Sequence, residues 1–149
     1  MKRRAFLGTA ALLGAVPVAR AQKLLPAQDV GALVARITGG AVPERGGIEI
    51  ELPPIAENGN SVPLRLRVES PMTAADRVTA LHVFAERNPR PLVAAFHFGP
   101  GAAKAEVATR IRLAVEQKVT VLASLSGGRY RVVDRPVLVT AAACIDEGV

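Results

Sequence analysis

One side chain in this sequence stands apart for intrinsic reactivity. The chain has a single cysteine, Cys144, the sixth residue from the end of 149. A thiolate is a strong nucleophile, and a free thiol titrates near about 8.5. Pro136–Val149 reads as a strand that runs out of the domain into a short tail, which makes the thiol accessible. A structural thiol more often sits inside an apolar strand. One cysteine cannot form an internal bridge, so it is a buried inert thiol, an intermolecular partner or a reactive free thiol. Asp146 and Glu147 disfavour its ionisation, as nearby like charges do.

The other candidates are weaker. His82 and His97 lie on separate predicted strands among apolar residues, and the plainer reading of each is a side chain hydrogen-bonded within the fold. The carboxylates alternate along strand surfaces and need only solvent. Arg110 and Arg112 form either a partner-facing pair or a solvated strand face. There is no phosphate-cradling glycine loop and no His/Cys cluster at metal-ligand spacing, so neither cofactor nor metal is expected. No base or group that would orient Cys144 is evident, which argues against an enzyme in its own right.

These residues need a scaffold, and the first 21 residues are not expected to supply it. Met1-Lys2-Arg3-Arg4 is a twin-arginine start. An apolar run follows through Val18, and Ala19-Arg20-Ala21 is a small-x-small cleavage site. The run is short of the ~20 apolar residues of a comfortable span, so residues 1–21 read as a twin-arginine signal peptide and residues 22–149 as one domain. Twin-arginine signals are receptor-read addresses. The expected location is the periplasm, with no membrane attachment after cleavage. Of the 19 basic residues, Lys2, Arg3, Arg4 and Arg20 fall in this segment, leaving 15 against 13 acids, a net +2 where the whole chain is +6. That removes the electrostatic support for nucleic-acid binding.

Leu24–Gly40 carries the clearest helical pattern: Val30, Leu33, Val34 and Ile37 share one face, Pro26 and Asp29 mark the start, and Gly39-Gly40 the stop. The helix is expected to dock by that stripe against the side or edge of its own domain. From Gly46 the period changes to two. Ile48, Ile50 and Leu52 alternate with Glu49 and Glu51, Pro53-Pro54 stops the strand, and residues 56–60 turn. Leu64, Leu66 and Val68 alternate with Arg65, Arg67 and Glu69, so the two strands can pair acid against base on one exposed face. Val78–Glu86 follows, with Val78, Ala80, His82 and Phe84 on one face. Asn88-Pro89-Arg90-Pro91 forces a break before Leu92–Phe98. Ala102–Gln117 fits helix and strand almost equally, and its neighbours favour strand. Val119, Val121 and Ala123 continue the pattern to a turn at Ser126–Arg129, and a last strand runs from Tyr130 to Ala141 with a bulge or kink at Asp134-Arg135-Pro136. Seven short strands after one helix make an all-β, immunoglobulin-like β-sandwich with a short N-terminal helix.

Three blocks carry a family resemblance: Pro54-Ile55-Ala56-Glu57-Asn58-Gly59 with Val62-Pro63, Asn88-Pro89-Arg90-Pro91-Leu92, and Ala108-Thr109-Arg110-Ile111-Arg112-Leu113-Ala114. In that order they resemble SoxY, the Y subunit of the sulfur-carrier pair of the periplasmic Sox thiosulfate-oxidation system. The resemblance implies the same sandwich, and strand for Ala102–Gln117. It also implies a heterodimer with a SoxZ-like subunit, transient visits to other Sox enzymes, and a C-terminal cysteine arm that carries thiosulfate-derived intermediates. Val139-Thr140 places Cys144 on that carrier cysteine. The family tail is Gly-Gly-Cys-Gly-Gly; here Ala142-Ala143 precede the cysteine and Ile145-Asp146-Glu147-Gly148-Val149 follow it. Alanine gives the backbone less freedom than glycine, and the acids add charge beside an anionic cargo. The alternative is a SoxY-like binding or structural module that keeps the sandwich and has lost covalent carriage.

Overall fold

The computed structural model describes residues 25–141, so the signal segment and Cys144 lie outside the described residues. Helix α1 (Val30–Thr38) is followed by β1 (Glu44–Arg45), β2 (Ile48–Glu51), β3 (Ile55–Ala56), β4 (Val62–Val68), β5 (Val78–Ala85), β6 (Leu92–His97), β7 (Ala105–Ile111), β8 (Gln117–Leu125) and β9 (Arg129–Val139). The seven longer strands are those expected from the sequence; β1 and β3, of two residues each, make nine among the described residues. Pairs of residues are too short to show a period.

The strands form two layers. One sheet runs β1-β9-β8-β5-β6, with β3 also on β9; the other runs β2-β4-β7. In the smaller sheet, Glu49 faces Arg67 and Glu51 faces Arg65. The Arg65 guanidinium lies 3.5 Å from Glu51 and 3.3 Å from Glu106, so the expected pairing of acid against base holds. The opposite face of β4 supplies Val62, Leu64, Leu66 and Val68 to the core between the sheets, where they meet Leu81, Val83, Val119, Val121 and Val137.

Strand β8 is buried on both faces because a second cluster lies on its far side. Val30, Phe84 and Leu122 are buried there, with Leu33, Val34, Ile37, Tyr130 and Val132 packed against them. The apolar stripe of α1 therefore covers an outer sheet face. Asp29 caps the helix, its Oδ1 accepting from the Ala32 amide at 3.0 Å, and Gly39 ends it in the left-handed region at φ 64°. A strand covered on both sides reads as a continuous apolar run, as Val119–Ala123 does.

Three local expectations are corrected. Val78 does not share a face with Ala80, His82 and Phe84: the register shifts between Val78 and Ala80, and Val78 joins the inter-sheet core. Residues 134–136 form no kink, since β9 pairs continuously with β8 through Val119↔Arg135 and Lys118↔Pro136. Even-numbered residues of β9 turn their backbone groups to the other edge, as the Val132 carbonyl and the Leu138 amide show. The donor that Pro136 lacks therefore falls in the gap between β1 and β3, where no ladder bond is lost. Finally, β7 ends at Ile111, and Leu113, Ala114 and Val115 are buried in a connection rather than a strand.

Candidate functional site

The chain leaves the sandwich at the end of β9, and hydrogen bonds tie it down to the last described residue. Strand β3 runs parallel to β9, pairing Ile55 with Leu138 and Ala56 with Val139. The Leu138 amide donates to the Pro54 carbonyl (2.9 Å), the Thr140 amide to the Ala56 carbonyl (3.0 Å), and the Gly59 amide to the Ala141 carbonyl (2.8 Å). The Thr140 hydroxyl donates to the Glu57 carbonyl at 3.3 Å. Asn58 holds the turn, its Oδ1 accepting from the Asn60 amide. The exit is thus fixed at Ala141, three residues before Cys144. Three residues span at most about 10 Å, which bounds how far Cys144 can stand from this end of the sandwich.

The same end is braced from behind. The Leu113 amide donates to the Gly59 carbonyl at 2.8 Å, which joins the exit to the β7–β8 connection. Asn88, buried in the β5–β6 turn, clamps that connection. Its Nδ2 donates to the Arg112 carbonyl (2.8 Å), and its Oδ1 accepts from the Ala114 amide and from Gln117 Nε2, both at 2.9 Å. Gln117 in turn accepts from the Arg87 amide at 2.9 Å. A buried polar group needs partners; here Arg112 and Ala114 belong to the β7–β8 connection, which must be placed, and Gln117 opens β8. The three sequence blocks that carry the family resemblance therefore meet in one hydrogen-bonded path: Asn88 to residues 112–114, then Gly59, then Ala141. Read as sequence, Asn88 marked only a break; the signal that it is more was its presence, beside two prolines, in one of those blocks.

Next to the exit, on the outer face of the smaller sheet, runs an open groove of about 730 Å³ between the Leu52-Pro53 corner, Pro63, Arg65, Thr109 and Arg110. Arg110 reaches Ser61 at one end, Nη1 lying 3.2 Å from Oγ. Among the described residues it has no carboxylate partner, whereas Arg65 is shared by Glu51 and Glu106. Ile55 and Leu138, paired across β3 and β9, are both large apolar side chains left about half exposed at the exit.

The structure brings the two histidines together, which sequence reasoning did not. Register places His82 opposite Ala95 and His97 opposite Ala80, so the rings are diagonal neighbours, 6.1 Å apart and edge-on. His82 also stacks beside Phe84 at 6.4 Å. Its Nδ1 is buried without a hydrogen-bond partner among the described residues. Burial first, and then the neighbouring His97, push the His82 imidazole below its ordinary range. No group of three or more His, Cys, Asp or Glu that could hold a metal occurs among the described residues. The pair lies beside Phe84, which belongs to the cluster on the outer face of the larger sheet, and this setting suits packing.

A family model, sulfur oxidation protein SoxY, matches residues 34–144. A sulfur carrier protein SoxY from Chlorobium limicola f thiosulfatophilum has a similar structure, with 31% identity and a TM-score of 0.61, covering 74% of this chain and 96% of that one. A superoxide reductase (neelaredoxin) from Ignicoccus hospitalis is similar at 18% identity and a TM-score of 0.55, covering 63% and 80%. A superoxide reductase from Nanoarchaeum equitans is similar at 10% identity and a TM-score of 0.55, covering 64% and 100%. At these identities the superoxide reductases show a shared sandwich and nothing further. No curated protein matches the chain.

Proposed function

The chain belongs to the SoxY family, and from that premise we propose that it is a periplasmic sulfur-carrier subunit of a Sox-type sulfur-oxidation system, holding thiosulfate-derived intermediates covalently on Cys144. The observation that carries this reading is the family match, which extends through residue 144, together with 31% identity to a SoxY sulfur carrier over 96% of that protein. The anchoring of β9 up to Ala141 supports it, because a carrier arm needs a fixed root.

Loading joins the Cys144 sulfur to thiosulfate through an S–S bond. The thiolate and thiosulfate give up two electrons between them, and a partner oxidase of the Sox system takes these. The carrier therefore serves as a shuttle, with catalysis left to the enzymes it visits. A SoxZ-like subunit completes a heterodimer, and the exposed pair Ile55 and Leu138 beside the exit suits a contact with it. Export follows the twin-arginine route through residues 1–21.

Intact-mass analysis of the protein from periplasm of cells oxidising thiosulfate, with and without reductant, tests the reading. The expected result is a reductant-sensitive sulfur adduct on Cys144, absent from Cys144→Ser, with loss of thiosulfate oxidation in that variant. A bare thiol and unchanged oxidation in Cys144→Ser would overturn it in favour of a non-carrier binding module, which the altered tail Ala142-Ala143-Cys144-Ile145-Asp146-Glu147 favours. Co-purification with a SoxZ-like subunit tests the partner separately.

A further inference from the structure

The hydrogen-bonded path that roots the exit carries arginines along its length. Arg87 precedes Asn88, and Arg90 follows it by two residues. The Arg112 carbonyl accepts from Asn88 Nδ2 at 2.8 Å. Arg110 stands two residues earlier, its Nη1 3.2 Å from Ser61 Oγ. Ser61 in turn is two residues from Gly59, which bonds both Leu113 and Ala141. Ile111 and Leu113 are buried, so Arg110 and Arg112 stand together on the outward side. Arg90, Arg110 and Arg112 are exposed and Arg87 is partly buried. Among the described residues none of these four has a carboxylate at ion-pair distance, whereas Arg45, Arg65, Lys118 and Arg129 are all paired. The acids of the same segments do not cancel them. Glu86 is held by Lys118 at 3.5 Å, which leaves Glu57 and Glu116 against four guanidinium groups.

We propose that Arg87, Arg90, Arg110 and Arg112 form a docking rim for an acidic protein surface, the carboxylate-bearing surround of the site at which a partner enzyme meets this end of the sandwich. The identity of that partner as an enzyme visited by a carrier rests on the proposed function; the contact itself does not. Two observations separate a rim from a merely solvated face. The first is rigidity. Pro89 and Pro91 fix the backbone on either side of Arg90, and the Asn88 clamp orders the segments that bear Arg87 and Arg112. Side chains mounted on ordered backbone lose less freedom on binding. The second is composition. All four cations are arginine, whose planar, weakly hydrated fork matches a carboxylate with two parallel bonds. Arginine is enriched at protein interfaces, and lysine is depleted there. The small net charge of residues 22–149 gives no general attraction to a nucleic acid. An excess confined to one end instead orients the encounter with one acidic patch. Exposed ion pairs are individually weak and act mainly on the rate of association, which suits a protein that must leave one enzyme for the next.

Steady-state kinetics test the rim. The periplasmic fraction of cells lacking this chain is supplied with the mature protein and its SoxZ-like subunit, and thiosulfate consumption is followed against carrier concentration. Replacing all four arginines by glutamine is expected to raise the apparent KM for the carrier about tenfold at about 0.05 M salt, with kcat unchanged. The difference should vanish at about 0.5 M salt, where the Debye length is below about 5 Å. Arg36→Gln, on the exposed side of α1, should leave both constants as they are. A second arm reads the contact without sulfur chemistry. In a Cys144→Ser protein with lysine at the four rim positions, carbodiimide is expected to join those lysines to Asp or Glu of one partner enzyme, mapped by peptide mass spectrometry; Arg36→Lys is expected to give no such product. An unchanged KM in a folded glutamine variant, an equal rise in Arg36→Gln, a fall in kcat alone, or cross-links no more frequent at the rim than at Arg36→Lys would overturn the proposal. If Cys144→Ser leaves thiosulfate oxidation unchanged, the carrier reading falls and the cross-links alone decide the rim.

Discussion

Replacing Asn88 by alanine should cost more than any other single polar substitution in the described fold. The change removes three hydrogen bonds of 2.8–2.9 Å to Arg112, Ala114 and Gln117. It strands the Ala114 amide and the Arg112 carbonyl where Asn88 and Gln117 are themselves almost wholly buried. Each buried group left unpaired costs about 1–3 kcal/mol, and water entering the small void recovers part of it. The expected loss is therefore about 3–5 kcal/mol, a large share of the roughly 5–15 kcal/mol typical of a domain. With a urea slope of about 1.5–2 kcal/mol/M the midpoint falls by about 2 M at unchanged slope. Gln117→Ala alone should cost less, and the double variant should fall short of the sum, because the two side chains share one network. Native-state hydrogen exchange supplies a second readout: the Leu113 and Gly59 amides, which link this network to the exit, should exchange faster in Asn88→Ala at a denaturant-matched stability. A midpoint shift below about 0.5 M in a folded variant, or an unchanged Gly59 amide, would refute the claim that Asn88 positions the exit.

Three further outcomes are expected. Because the folded-state pKa of His82 is lowered by burial and by His97, the unfolded chain binds more protons below about pH 6.5; stability should fall as pH drops through that value, and His82→Phe should flatten this slope in urea titrations at about pH 5 and pH 8. For Asp134, burial raises the pKa, but the Thr120 hydroxyl, the Arg45 bond and the charges of Lys118 and Arg45 outweigh it and lower it on balance; its contribution should be present above about pH 3.8, be lost as pH falls through the folded-state value, and vanish in Asp134→Asn in acid-unfolding curves. Phe84→Ala opens the cluster under α1 and should cost about 3–5 kcal/mol, with helical circular dichroism lost ahead of the sheet signal if the helix docks by that side chain.

The sequence was most legible where one period held over a whole element. Glu49, Glu51, Arg65 and Arg67 foretold register as well as strand, because one slipped residue would have turned all four into the core. Val30, Leu33, Val34 and Ile37 foretold the helix but not its seat, since a stripe says nothing of which face it meets. Val78 was misplaced because a bulge breaks alternation without a sequence mark, and Pro136 was misread because the missing donor matters only if a partner strand lies on that side. At the candidate site, the blocks Pro54–Gly59, Asn88–Leu92 and Ala108–Ala114 were recognisable by type, yet their meeting at Ala141 depends on contacts between residues far apart in sequence. Cys144 itself was singled out from composition, and it lies outside the described residues.

The way β9 is built in bears on mechanics as well as on position. It spans 11 residues, more than any other described strand, and it lies against β8 over nine register pairs from Gln117↔Val137 to Leu125↔Arg129. On its other edge the short β1 and β3 grip it near its two ends. A partner that draws the C-terminus outward along the strand pulls on all these bonds in shear, so they share the load instead of opening one after another. The strand then behaves as a tie rod seated in the sheet: traction applied beyond Ala141 is passed to the whole larger layer and leaves the core between the sheets undisturbed.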